Sequence, residues 1–544
     1  MSHPESLPEL IEGLSRPGVL PLAGDGLTQV VQTHISAVFL TREHAFKLKK
    51  PVDFGFLDFS TAERRAFFCR EELRLNRRLS PEVYVGLSPV WRRAKGRIEV
   101  GPPVEQPPPC DELLVVMQRL PEDRMMDRLL AAGGVEPLHV ERLARLIAAF
   151  HGRAERGTEI ERYGTREAAG RLALENFDQT TGFCGTFFDA DRHRVMRART
   201  AGFLEARQRL FATRLKDGRI RDSHGDLHSP NICILADGRP IVYDCIEFSP
   251  AYRCGDVASE VAFLAMDLEY RGRPDLACAF VDTYRELAGD ETLDAVLPFY
   301  QAYRAMVRAK IAALTASARE VDAAERERYG AAARTLFDLA ERYTRGLVPQ
   351  TLVVVSGLTG VGKTAVAAAL HRAAGLHPLE TDRIRKKLAG LDPDKPAAAP
   401  PGQGIYTQAM TVATYRTLAR DAGVQLERGE GALAVGTFVA RGQRDTVRQA
   451  AREADVPLLF VRLDAAEAVV MERLAQRPPG QSDGDAAVYR AMLAREDPPD
   501  EIPEAERLVL DATHQSPDEL ADAILARLRQ PFEGAGRAGS APAS

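Results

Sequence analysis

Two aspartates and an asparagine, Asp226, Asn231 and Asp244, stand within the segment SHGDLHSPNICILADGRPIVYD, Ser223 to Asp244. Phosphoryl transfer needs one carboxylate to accept or orient an acceptor hydroxyl, and further oxygen ligands for the Mg²⁺ that bridges nucleotide phosphates. Asp226 fits the first task, Asn231 and Asp244 the second. Two short apolar runs, Ile232–Leu235 and Pro240–Tyr243, flank the turn Ala236-Asp237-Gly238-Arg239, so the spacing predicts a β-hairpin with one aspartate before it and one after it. A His/Asp-rich turn between two strands is the plain alternative.

Such a site also needs a strand lysine for the α- and β-phosphates and a helix glutamate that holds it. Two strands, His34–Thr41 and Ala45–Lys50, are predicted around the turn Arg42-Glu43-His44, and the second puts Lys47 and Lys49 on one face. Lys47 is the first choice and Lys49 the second; a lysine-rich edge-strand guard is the other reading. The helix expected over Thr61–Leu79 offers Glu63, Glu71 and Glu72. Glu72 lies one helical turn or two before Leu75 and Leu79, which would anchor that face in a core, though a solvated helix charge reads equally well.

A second phosphate signature follows Val348-Pro349. A buried-type strand, Leu352–Ser356, runs into GLTGVGKT, Gly357 to Thr364, and then into an alanine-rich helix. This is a Walker A loop in its required strand–loop–helix setting. Gly357, Gly360 and Gly362 let the backbone N–H groups cradle phosphate, Lys363 neutralises the β/γ oxygens and Thr364 holds Mg²⁺. Further on, Arg473 and Arg477 lie on a helix after the strand Val461–Leu463 and read as a lid over ATP or as a solvated helix face.

The elements that position these residues are those of a large globular chain. At 544 residues, 45% hydrophobic and 27% charged, it has room for two to four domains, and disorder is not the default. The net charge of -5 provides no global basic field for nonspecific nucleic-acid binding. Seven scattered cysteines without C-x-x-C pairs imply a reducing cytoplasm and no zinc site. No apolar run approaches the roughly 18 residues of a membrane span. Asp256 opens an amphipathic helix as its N-cap or supports the catalytic loop, and His151 reads as a structural helix-end residue.

The D-x-x-x-x-N interval followed by Asp244 resembles the catalytic and metal-binding loops of the protein-kinase superfamily. HGDLHSPN is closer to the aminoglycoside phosphotransferase branch, with His-Gly-Asp in place of His-Arg-Asp. Together with THISAVFLTREHAFKLKKPVDFGFLDFS and EELRLNRRLSPEVY, it resembles a bacterial family of aminoglycoside-phosphotransferase-like proteins fused to a C-terminal P-loop kinase-like domain. That resemblance implies a bilobal kinase-like fold over residues 1–346 and a three-layer α/β/α P-loop fold with a parallel sheet over 350–530. A disordered tail is expected over 531–544.

It carries Lys47, Asp226, Asn231 and Asp244 over as site residues, with Glu72 beside them. LETDRIRKKLAG resembles the acceptor-side motif of polynucleotide-kinase-like and zeta-toxin-like P-loop kinases. There Asp382 would orient or deprotonate a hydroxyl and Arg385 would bind phosphate; an N-cap followed by a basic first turn is the alternative. One departure stands out: the run ALAVGTF has Gly436 where the resemblance implies the aspartate that relatives of the second module usually carry. The implied activity is ATP- and Mg²⁺-dependent phosphotransfer to a hydroxyl, with a nucleotide-operated regulator as the competing class. The acceptor classes left open are a metabolite, an antibiotic, a protein or a nucleic-acid 5′ end. The segment after the hairpin mixes Glu247, Asp267 and Glu269 with Arg253, Arg271 and Arg273, a balance that does not favour a polycationic aminoglycoside.

Overall fold

A computed structural model describes residues 6–538 except 23–25, 56, 94–96, 320, 394, 396, 398–402, 477–485 and 495. The chain forms two compact units, one of residues 1–164 with 218–290 and one of 165–217 with 291–544.

The first unit is mixed α/β. Its antiparallel sheet comprises β1 (Leu27–Gln32), β2 (Ser36–Thr41), β3 (His44–Lys49), β4 (Tyr84–Arg93), β5 (Arg97–Val100) and β6 (Glu112–Gln118), in the order β1-β2-β3-β6-β4-β5. The strand period of two assigns the faces of β3. Phe46 and Leu48 join Leu10, Leu14, Phe39, Leu114 and Val116 in one core. Ala45 faces the other way, against Cys69 and Leu73 of the helix Ala62–Asn76. Lys47 and Lys49 share that second face, beneath the helix that carries Glu72.

Beyond the sheet, β7 (Ile220–Asp222) pairs with β10 (Cys254–Asp256), and β8 (Ile232–Ile234) pairs with β9 (Pro240–Val242). The β8–β9 hairpin is the one expected from the two apolar runs. The helix Val257–Tyr270 is capped by the Asp256 side chain, which accepts from the Ala258 N–H.

The second unit holds a five-stranded parallel sheet of β11 (Leu352–Ser356), β12 (Pro378–Glu380), β13 (Ala432–Val435), β14 (Leu458–Asp464) and β15 (Arg507–Asp511), in the order β12-β13-β11-β14-β15. Each face is covered, as a parallel sheet requires. Val353 and Val355 pack on the helix Lys363–Ala374 and on Leu520, Ile524 and Leu525. Leu352 and Val354 pack on Tyr415, Leu418 and Val447. The result is a three-layer α/β/α P-loop-like domain. The connections leaving β11 and β13 diverge to opposite sides of β11, a topological switch point at whose carboxyl edge ligands bind in this architecture.

Helices of residues 165–217 and 291–346 belong to this same unit. Buried Arg207 shows how: its Nε donates to Val348 O at 3.1 Å and its Nη1 to Gly429 O at 3.0 Å. The helix Pro517–Ala538 runs into the segment expected as a tail; residues 539–544 lie outside the described residues.

Candidate phosphate sites of the two units

In the first unit the loop before β8 is tied down from behind. Glu260, on the helix Val257–Tyr270, accepts from the backbone N–H of His224 at 2.8 Å and of Gly225 at 2.7 Å. It also meets His151 Nε2 at 2.5 Å, while His151 Nδ1 reaches the Tyr284 hydroxyl at 2.8 Å. Burial alone would raise the Glu260 carboxyl, but His151, His224 and the backbone donors hold it down at about 2. Gly225 explains its own identity. Its φ is +88°, and a Cβ there would stand 2.9 Å from Tyr252 O and 3.0 Å from Arg253 Cα, so this turn excludes the arginine found in protein kinases.

The loop presents Asp226 partly exposed. Asn231 Nδ2 donates to Asp226 Oδ2 at 2.8 Å and to its backbone carbonyl at 3.0 Å, and His228 Nε2 lies 3.2 Å from the same Oδ2. Because the Asn231 nitrogen is committed to Asp226, the opposed amide oxygen is turned away from it and offers itself as an acceptor or ligand. On the other side of the hairpin Asp244 adopts φ +63°, a left-handed conformation that aspartate tolerates better than most residues. Its backbone N–H donates to the Tyr84 hydroxyl at 3.2 Å, and its side chain remains 43% exposed.

Both strand lysines meet the helix glutamate. Lys47 Nζ lies 2.9 Å from Glu72 Oε1 and 2.7 Å from Asp244 Oδ1. Lys49 Nζ lies 2.6 Å from Glu72 Oε2 and also bonds Glu247. The structure thus brings Glu72 to the lysines, while Glu71 pairs with Arg74 on the outer face. Burial would lower the Lys47 ammonium, yet Asp244, Glu72 and Glu247 raise it well above its ordinary value. Burial would equally raise Glu72, but Lys47 and Lys49 depress it. Each buried member of this network meets an opposite partner, the condition under which such groups persist in an interior, although burial raises the Glu247 carboxyl.

Sequence reasoning left Glu247 among acidic residues facing an acceptor. It is instead buried on Lys49. Asp267 is buried too, accepting from the Ser229 N–H at 3.0 Å and from Arg271 Nε at 3.1 Å. Arg253 is buried on Asp222, at 2.6 Å. The alternation of these charges in sequence therefore reflects internal pairing. The signal for Glu247 was its place three residues past Asp244, in the irregular stretch that follows β9.

In the second unit Gly357, Gly360 and Gly362 have φ of +141°, +87° and +102°. A Cβ at Gly357 would stand 2.5 Å from Leu463 O, and one at Gly360 2.8 Å from Val470 Cγ1, so the loop is built from residues that only glycine can replace. Lys363 Nζ donates to Leu358 O at 2.8 Å within the loop, and Thr364 is exposed at the start of the helix. Arg473 lies on the same loop: its Nη2 donates to Ala512 O at 2.9 Å and its Nη1 approaches Val361 O at 3.5 Å. Arg477 lies outside the described residues.

Asp382 sits in the first turn of the helix Thr381–Leu388, 2.9 Å from the buried Lys386 Nζ and 3.4 Å from the Tyr406 hydroxyl. Lys386, missed in the sequence, stands one helical turn after Asp382 on the same face. The Arg385 guanidinium lies over the Tyr406 ring at 4.8 Å, with its Nε buried and unpartnered. Gly436, directly after β13, has a steric reason for lacking a side chain: a Cβ there would stand 2.7 Å from Thr381 Cγ2 and 3.2 Å from Phe438 Cε2.

Residues 352–499 match the family described as AAA domain. The solved structure of a choline/ethanolamine kinase family protein from Mesorhizobium loti aligns with 62% of this chain and 98% of its own, at 13% identity and TM-score 0.38. A gluconokinase from Sinorhizobium meliloti aligns with 35% of this chain and 98% of its own, at 22% identity and TM-score 0.26. Among curated proteins, the uncharacterized protein Rv2004c of Mycobacterium tuberculosis is 32% identical over 478 residues, 88% of this chain and 91% of its own. A Mycobacterium bovis protein, Mb2027c, matches over the same extent. At that identity over most of both lengths, the chain belongs to the family of these uncharacterized mycobacterial proteins.

Proposed function

We propose that the chain is an ATP-dependent phosphotransferase acting on a hydroxyl, with catalysis in the kinase-like module of residues 1–346. One observation supports this above the rest: Asp226, fixed by Asn231 and His228, is assembled together with Lys47 anchored between Glu72 and Asp244. Asp226 orients the acceptor hydroxyl and takes its proton as the oxygen attacks the γ-phosphorus and the bond to the β-phosphate oxygen breaks, releasing ADP. Asn231 and His228 hold the plane of its carboxylate. Lys47, kept cationic by its carboxylate neighbours, draws the ATP phosphates against β3, and Glu72 holds the lysine in place. The Asn231 amide oxygen and the exposed Asp244 carboxylate are hard oxygen donors of the kind Mg²⁺ takes, so they are the residues that would hold it. Bound Mg²⁺ supplies charge neutralisation at the phosphates.

A second reading attaches to residues 350–530 alone. There the loop amides, Lys363, Thr364 and Arg473 support ATP binding, while Thr381 fills the space in which a carboxylate at position 436 would stand. Nucleotide binding with slow turnover, as in a regulator, follows from that arrangement, with Asp382 and Arg385 as the remaining acceptor-side groups.

The test is transfer from γ-labelled ATP by the full chain to pools of metabolites, aminoglycosides, proteins and 5′-hydroxyl oligonucleotides. Label transfer should fall about 10² or more in Asp226→Asn with nucleotide affinity nearly unchanged, and should persist in Lys363→Ala. Transfer that survives Asp226→Asn and disappears in Lys363→Ala would move the chemistry to the second unit and defeat the proposal.

A further inference from the structure

Away from both phosphate sites, three side chains of the second unit converge. Asp294 lies in the first turn of the helix Leu293–Ser317, His371 in the last turn of the helix Lys363–Ala374, and His377 just beyond the glycine that ends it. Their ligand atoms all lie within 4.8 Å of one another. His371 Nε2 is 3.9 Å from Asp294 Oδ2, and the two imidazoles meet edge-on with centroids 5.1 Å apart.

The backbone enforces this meeting. Gly375, the helix C-cap, has φ +64°, and a Cβ there would stand 1.8 Å from Asp294 O. No other residue lets the end of one helix press so closely on the start of the other. One further feature of the cluster asks for a cation. His371 Nδ1 is buried with no hydrogen-bond partner, a state that costs free energy unless something else meets the nitrogen.

We propose that Asp294, His371 and His377 bind a divalent cation of the zinc class. Two imidazole nitrogens and one carboxylate oxygen are a donor set for zinc rather than for Mg²⁺ or Ca²⁺, which take oxygen. Ligand atoms around a tetrahedral zinc are about 3.4 Å apart, so small side-chain rotations close the trio on an ion. Three protein ligands leave a fourth position. His377 is exposed and lines a cavity of about 390 Å³ with Glu380, Arg383, Lys387 and Arg420, which gives water or a small anion access to the histidine's side of the site. The ion would clip the helix that begins at Lys363 to the helix Leu293–Ser317. The expectation of no zinc site rested on cysteine spacing, a count to which this His/Asp trio does not contribute.

The experiment is a titration of metal-free, full-length protein with Co²⁺ followed by its visible ligand-field absorption, and with Zn²⁺ by calorimetry, both in excess Mg²⁺ to occupy the oxygen sites. One equivalent should bind with the intense absorption of a low-coordinate cobalt site. His377→Ala, at an exposed position that leaves folding intact, and Asp294→Asn should each weaken binding at least about tenfold. Zn²⁺ should raise the melting temperature of the wild type and leave that of His377→Ala unmoved. The proposal is overturned if the wild type binds no stoichiometric metal. It is equally overturned if His377→Ala keeps wild-type affinity, or if only Asp244→Asn removes the binding, because the ion would then sit in the kinase-like site. None of these readouts depends on which unit transfers phosphate.

Discussion

The two candidate phosphate sites are built from different material. In the first unit the site is a set of charged side chains, Lys47, Lys49, Glu72, Asp244 and Glu247, four of them nearly or fully buried and each paired with another. In the second unit it is mainly backbone: three glycines at positive φ and the N-terminus of one helix, with Lys363 resting on a carbonyl of its own loop. The difference bears on stability as well as binding. A buried ionic network is part of the fold, because removing one member leaves its partners desolvated with less opposite charge to offset them. A loop of backbone amides is shaped by local conformation, and its lysine can leave without exposing a buried charge.

That contrast is sharpest at Glu72. Glu72→Ala should destabilise the first unit by about 3 kcal/mol, as it takes one of two carboxylate partners from each of two lysines; denaturant unfolding of the full chain reads the effect. A loss below about 1 kcal/mol would mean that water or Asp244 and Glu247 suffice, and that the network is a binding device only.

The next largest effect is one of pH. The Glu260 carboxyl is depressed from 4.5 to about 2 in the folded protein. A depressed carboxyl contributes stability that is complete above the unfolded value and lost as pH falls through the folded one. Glu260 should thus contribute on the order of 3 kcal/mol near neutrality, lost between about pH 4.5 and 2. Glu260→Gln should lower stability at pH 7 and flatten the acid limb in that window. An unchanged limb would show that Glu260 is not the anion that organises His224 and Gly225.

Smaller effects belong to the second unit. Gly436→Asp should cost about 1–3 kcal/mol through overpacking against Thr381, and Thr381→Ser, which removes the Cγ2 methyl in the way, should recover part of it. Full stability in Gly436→Asp alone would place the obstacle elsewhere. Lys363→Ala should change unfolding by no more than about 0.5 kcal/mol while abolishing ATP binding by the P-loop, measured by equilibrium binding in an Asp244→Ala background. A large loss of stability in Lys363→Ala would erase the distinction between the two sites.

Legibility in the sequence followed the same line. GLTGVGKT was readable because strand, loop and helix are contiguous and each glycine is demanded locally. The hairpin around Ala236–Arg239 was readable for the same reason, and so was the Asp256 cap. The choice among Glu63, Glu71 and Glu72 was open in the sequence, since all three fall on one helix and the face that meets β3 depends on how that helix crosses the sheet. Lys47 and Lys49 were equivalent by strand periodicity. Only the tertiary structure separates them, directing one to Asp244 and the other to Glu247, nearly two hundred residues away in the chain.

By itself the sequence determined two modules, their sheets and the positions at which backbone geometry requires glycine, because these follow from periodicity and from φ. Tertiary structure alone decided which charges neutralise one another. It turned Glu247, Asp267 and Arg253 inward, set Thr381 against Gly436, and brought Asp294 to His371 and His377. Coulombic pairing and steric exclusion act through space at a few ångströms, and no spacing along the chain records them.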